Sequence, residues 1–183
     1  VAGMAALVRT RFDDKSIYSS RFIMGQLAST GSIKQGITPP GHLPKSYFSA
    51  DAESALTNVP NPSLAYLEHY LWDDTDQGAI NDADGIVDAG ETIELGVIIK
   101  NYWGMADNVS VNLSAQAQGA VGVDPYVTWD VDTVNYGGVG SFNQDDNGLT
   151  YDSEGLLLGV DNPFRFTIAS DTPNEHIIPI LVT

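Results

Sequence analysis

The segment "NDADGIVDAGETIELGVIIKN" (Asn81–Asn101) joins two kinds of sequence. Its first half carries four carboxylates, Asp82, Asp84, Asp88 and Glu91, between residues 82 and 91. Its second half puts Ile93, Leu95, Val97 and Ile99 at every other position, the period of a half-buried strand. The same alternation returns in "NVSVNLSAQ" with Val109, Val111 and Leu113. Further strands are expected at Tyr126–Val131, Gly155–Val160, "FRFTIAS" and "HIIPILV", separated by Asp, Asn and Gly clusters. Many short strands with no helical pattern between them point to an antiparallel sandwich. The Gly-, Asn- and Asp-rich stretch 132–153 reads as a long loop or irregular hairpin.

Upstream the pattern changes. "VAGMAALV" (Val1–Val8) is small and apolar all round, so as a helix it is expected to be buried, and this segment alone cannot bury it. Asp13–Ser16 offers capping chemistry for a second helix through about Ala28, with Gly31 as the residue that ends it. "SIKQGITPPGHLPKS" (Ser32–Ser46) holds three prolines and reads as an extended loop. Ser49–Leu56 reads as a short helix, and "NVPNPS" (Asn58–Ser63) as a linker. The organisation expected is therefore a helical segment 1–58, a linker 59–65 and an acidic β-sandwich 66–183.

Composition sharpens that division. The 183 residues include 8 Lys+Arg and 24 Asp+Glu, a formal charge of −16. Residues 1–50 hold six Lys/Arg against two acids (+4), whereas 51–183 hold only Lys100 and Arg165 against the remaining 22 acids (−20). Such a surface repels nucleic acid and anionic membrane, so neither is expected as a partner. No apolar run reaches the roughly 20 residues that span a bilayer. Cysteine is absent, which leaves the redox compartment open. No secretory leader is legible in the opening residues.

The acidic turn has metal-ligand spacing. Set against a twelve-residue calcium loop of the EF-hand type, Gly85 takes the turning position. Asp82, Asp84 and Asp88 fall at oxygen-donor positions, Ile86 offers a backbone carbonyl, and Glu91 takes the bidentate final position. The first position is Ile80 rather than Asp, and Asn81, Asp73, Asp74 or Asp76 is the candidate for the missing oxygen. A metal-free reading stands beside this one: Asp and Gly build tight turns on their own, with Glu91 bracing backbone amides. A second acidic loop, "NQDDNGLTYDSE" (Asn143–Glu154), has oxygen donors without clean spacing. The aromatic set around Trp72, Trp103 and Trp129 is core material or a sugar-stacking platform. The sequons at Asn108 and Asn112 occur at the density chance produces.

The opening "VAGMAALV" resembles the stretch that follows the nucleophile in subtilisin-like serine proteases. There a "GTSMA-x-PHVAG" motif runs into "VAG-x-AAL" on one buried helix. "FDDKSIYSSRFIMGQLASTG" is similar to the family's next helix, and "YFSADAESALTNV" to the "GxGxVDAxxAL" segment that closes the protease domain. The remainder resembles immunoglobulin-like sandwich domains that follow secreted subtilase domains. Their acidic "DG-x-x-D-x-GE" turn and "KN-x-G-x-A-x-NV" are matched by "DGIVDAGETIELGVIIKNYWGMADNV" (Asp84–Val109).

The fold class this resemblance implies is mainly β: an antiparallel immunoglobulin-like sandwich preceded by two or three helices from the end of an α/β subtilase domain. It implies a secreted or cell-surface parent endopeptidase, with the nucleophile expected just upstream of Val1 and no catalytic residue within the chain; calcium is the cofactor that the spacing of the acidic turn allows, beside its metal-free reading. The resemblance implies as partners the rest of the protease domain and the parent's polypeptide substrate. None of His42, His69 and His176 stands in a recognisable nucleophile context. The alternative is a structural or adhesive sandwich that self-assembles through its sheet edges; a carbohydrate-binding sandwich is a third reading.

Overall fold

The computed structural model describes residues 2–36, 46–74, 80–119 and 121–183. The chain is mainly β with antiparallel sheets, and it divides into two compact units. The first comprises Val1–Leu64, Asn101–Ala106 and Val139–Asn143; the second comprises Ala65–Lys100, Asp107–Gly138 and Gln144–Thr183.

The first unit contains α1 (Ala2–Arg11), α2 (Ser20–Thr30), β1 (Ser32–Gln35), β2 (Ser46–Ser49) and α3 (Ala52–Thr57). Val8 and Phe12, Phe22, Ile23 and Leu27, and Ala55 form its core. Trp103 lies 5.5 Å from the Phe22 ring and 6.0 Å from that of Phe142, extending the cluster. Gly25 is required by this packing, because a Cβ there would meet the Trp103 ring at 2.5 Å. Gln26, also buried, donates through Nε2 to Ala55 O at 3.1 Å and Asn58 O at 2.9 Å, satisfying carbonyls at the C-terminal end of α3.

Three expectations for this region are corrected. Val8 is the only buried residue of α1; Ala2, Gly3 and Ala6 are exposed and Leu7 is 52% exposed, because no described residue covers that side of the helix. The second helix starts at Ser20, capped by Ser19, whose Oγ accepts the Phe22 N–H. Asp14 is not its cap: its Oδ1 accepts from Ser16 N and Ile17 N and closes a separate turn. A bond from the Ser16 hydroxyl, with those from the two backbone amides, holds the Asp14 carboxyl below its ordinary range. The stretch Ser32–Ser46 is not all loop, since β1 pairs antiparallel with β2 from Ser32↔Ser49 to Gln35↔Ser46. Pro39, Pro40 and Pro44 lie outside the described residues.

The second unit carries β3 (Leu64–Trp72), β4 (Thr92–Asn101), β5 (Ala106–Ala115), β6 (Val127–Val131) and β7 (Thr133–Val139), except for their end residues Leu64, Asn101, Ala106 and Val139, which belong to the first unit. Then come β8 (Gln144–Asp146), β9 (Leu149–Tyr151), β10 (Leu157–Val160), β11 (Phe164–Ile168) and β12 (Ile180–Val182). One sheet runs β3–β4–β11–β6, with β8 also on β4; a second runs β12–β5–β7; β9 and β10 pair with each other. The 132–153 stretch, expected as irregular, thus holds β7, β8 and β9.

β4 is the organising strand. β11 pairs antiparallel with Thr92–Leu95 and β8 with Ile98–Lys100, so the ladder changes partner at Gly96 and Val97. Asn147 fills the gap. Its Oδ1 accepts the Val97 N–H at 2.7 Å, and its Nδ2 donates to Leu95 O at 3.1 Å and Asn162 O at 2.8 Å. A side-chain amide therefore stands in for a strand residue. β4 was expected to bury one face, but Leu95 to Ile99 is buried throughout. Trp72 and Leu149 close over Gly96, where a Cβ would meet Leu149 at 2.6 Å. Across β4 and β11, Glu94 and Arg165 are register partners and form an ion pair.

Candidate metal centre

The acidic turn lies immediately before β4, and β3, the neighbour of β4, ends at Trp72. That pairing delivers Asp73 to the turn, where its Oδ2 accepts the Gly85 N–H at 3.0 Å. Asp82 Oδ1 accepts from Asp84 N at 3.2 Å and Asp84 Oδ1 from Ile86 N at 2.8 Å, so each short carboxylate folds its own segment. Ala83 (φ 59) and Gly85 (φ 81) both adopt left-handed backbone on either side of Asp84. Gly85 supports that conformation without strain, while an alanine pays roughly 1 kcal/mol for it.

The outcome is a convergence. One carboxylate oxygen each from Asp73, Asp82 and Asp84 lies within 4.8 Å of the others. Two oxygens bound to one calcium at about 2.4 Å are at most about 4.8 Å apart, so the spread fits a single ion of that size. Asp73 is 7% exposed, whereas Asp82 and Asp84 face solvent, which gives the cluster a fixed base and an open mouth. Among the described residues no ion pair engages any of the three. Hard, short oxygen donors of this kind suit calcium or magnesium and disfavour soft transition metals.

The other residues expected at the site have different placements. Asp88 and Glu91 lie outside the convergence. Glu91 is 1% exposed, and its Oε2 accepts the Asp88 N–H at 2.7 Å, the bracing role open to it without metal. Its backbone joins the ladder, with Ile168 N donating to Glu91 O. The Ile86 side chain is exposed and its N–H is committed to Asp84. Of the four candidates for the missing oxygen, Asp73 is the one brought in. Asn81 instead bridges the Thr92 backbone, accepting from its N and donating to its O; Asp74 is not in the convergence, and Asp76 lies outside the described residues.

The remaining candidates disperse. In the second acidic loop, Asp146 Oδ1 accepts from Gly148 N and Leu149 N, and Asp152 Oδ1 from Glu154 N and Leu156 N; these carboxylates build turns. The tryptophans enter separate pairings, Trp72 with Tyr70, Trp103 with Phe22 and Trp129 with Phe166. His69 Nδ1 meets Tyr66 Oη at 2.5 Å, and His176 Nε2 meets the buried Asp124 at 2.7 Å. His42 lies outside the described residues. The Asn112 amide donates to Asp132 O and Thr133 Oγ1. Compared with known protein families, characterised proteins and solved structures, the chain matches none.

Proposed function

We propose that the strand-rich unit is a non-catalytic accessory module of immunoglobulin-like sandwich type whose opening turn binds calcium. The observation that carries this reading is the convergence of Asp73, Asp82 and Asp84 within 4.8 Å, from two chain segments joined by the β3–β4 pairing. A calcium ion bound there supplies charge neutralisation and ties the end of β3 to the turn before β4. Asp73 forms the buried base, Asp82 and Asp84 the outer wall, and Gly85 gives the backbone reversal. The function is mechanical: a cation-stiffened module that anchors or docks a larger secreted protein. Melting in millimolar calcium against chelator tests it. Occupancy at a hundred times the dissociation constant adds about 2.7 kcal/mol, and an unchanged melting temperature rejects the site.

The larger protein, in this proposal, is a secreted or cell-surface subtilisin-like serine endopeptidase, with the helical unit as the end of its protease domain. The resemblance of "VAGMAALV", "FIMGQLASTG" and "SADAESALTNV" to that family supports this. The parent would cleave peptide bonds with a serine nucleophile lying before Val1. The gene sequence upstream of Val1 is the test. A serine followed by "MA-x-PH" supports the parentage; its absence favours the structural or adhesive reading, in which α1 to α3 are an interaction element.

A further inference from the structure

The second unit holds a half-open cavity of about 770 Å³ whose wall includes hydrocarbon from Leu95 and Val97 of β4, Leu113 of β5 and Phe166 of β11. An open cavity with an apolar wall gains free energy when an apolar partner covers it and releases the water there. The backbone beside it indicates the kind of partner.

Among the described residues β12 is the terminal strand of its sheet, with β5 as its one neighbour. Pro179 O accepts from Gln116 N, and Thr183 exchanges N–H and C=O bonds with Asn112. Antiparallel alternation therefore turns the N–H and C=O of Ile180 and Val182 to the opposite, unpaired edge. The side chains of those same two residues line the cavity, while that of Leu181 points to solvent. A strand laid along this edge would bond to Ile180 and Val182 and drop its alternate side chains into the apolar space. The rim carries Asp88 and Glu175, no Lys or Arg lines the cavity among the described residues, and residues 51–183 carry −20. Charge complementarity thus favours an occupant with basic flanks.

We infer that this cavity and the free edge of β12 form a strand-acceptor site for an extended partner segment, apolar at alternate positions and flanked by Lys or Arg. Ile86 to Ala89 of the acidic turn line the same space, so the site is tested both with and without calcium.

The test uses the 183-residue chain, in chelator and separately in calcium. The probe is a ten-residue peptide with Val and Ile alternating with Thr and two Lys at each end. It is expected to bind at least tenfold tighter than a peptide of the same composition with its apolar residues contiguous, and tighter than one with Glu flanks. Amide exchange at Ile180 and Val182 should slow at least tenfold, while Thr183, already bonded, changes little. N-methylating the peptide nitrogens that face β12 should abolish binding, and this control leaves the protein unaltered. Equal affinity for the alternating and contiguous peptides overturns the inference. So does binding with both amides still exchanging freely, which marks the cavity as a small-molecule pocket. A dimer in sedimentation with both amides protected before peptide is added overturns it in favour of a second copy of the chain.

Discussion

Replacing Asn147 with Leu keeps the size of a side chain that is 3% exposed and removes all of its polarity. Three bonds vanish, to Val97 N, Leu95 O and Asn162 O; Val97 and Leu95 are left buried at the point where β4 changes from β11 to β8, while the exposed Asn162 can turn to water. A lost bond to a buried backbone group costs about 1 kcal/mol net, so the substitution should remove roughly 2 kcal/mol. In a chain of this length that is a fall of about 4–8 °C in melting temperature. Far-UV dichroism should follow the loss of strand signal, and hydrogen exchange at the Val97 amide should accelerate in the folded state. Asn147→Asp separates geometry from packing. It keeps an acceptor for Val97 N–H but sets carboxylate oxygen against two carbonyls, so it should cost at least as much as Leu. If Asn147→Leu costs less than 1 kcal/mol and leaves Val97 exchange unchanged, the amide is not what bridges the ladder.

Two further outcomes follow from other buried polar groups. Gln26→Leu strips two bonds from the C-terminal carbonyls of α3 and should cost roughly 2 kcal/mol in the transition of the helical unit; a cost under 0.5 kcal/mol in thermal melts would contradict that role. Burial raises the Asp145 carboxyl above its ordinary value of 3.8, with the Asp146 charge acting the same way against a hydrogen bond from the Asp146 N–H. An acid raised in the folded state costs stability as pH climbs from that ordinary value through the folded one, and costs nothing below it. Asp145→Asn should therefore stabilise the protein at neutral pH and lose its advantage below about pH 3.8; urea midpoints across pH check the sign.

Much of the strand content was legible because it rests on local periodicity. Ile93 to Ile99 and Val109 to Leu113 alternate as half-buried strands should, and both segments are strands. What escaped was set by distant residues. Nothing near Gly96 announces that Trp72 and Leu149 will close over it, so the second buried face of β4 could not be read from its own alternation. Asn147, in a stretch that reads as loop, carries no signal that its amide completes a ladder 50 residues away. The acidic turn was half legible. Asp82, Asp84 and Gly85 follow from spacing, but Asp73 arrives only through the pairing of β3 with β4, and the sequence offered it as one of four equal candidates. Glu91 reads as the long ligand arm of a calcium loop, yet its burial commits an oxygen to Asp88 N–H. The proline-rich Ser32–Ser46 stretch hid β1 and the first residue of β2 because its breakers dominated the composition of the whole.

The cation site at the head of β4 is the central claim, and calorimetric titration of the chelator-treated chain with calcium tests it most directly. The account predicts saturable binding of one ion per chain, abolished by Asp73→Ala and by Asp84→Ala and retained in Asp88→Ala. The absence of binding heat in the unaltered chain, or binding that survives Asp73→Ala undiminished, would contradict it.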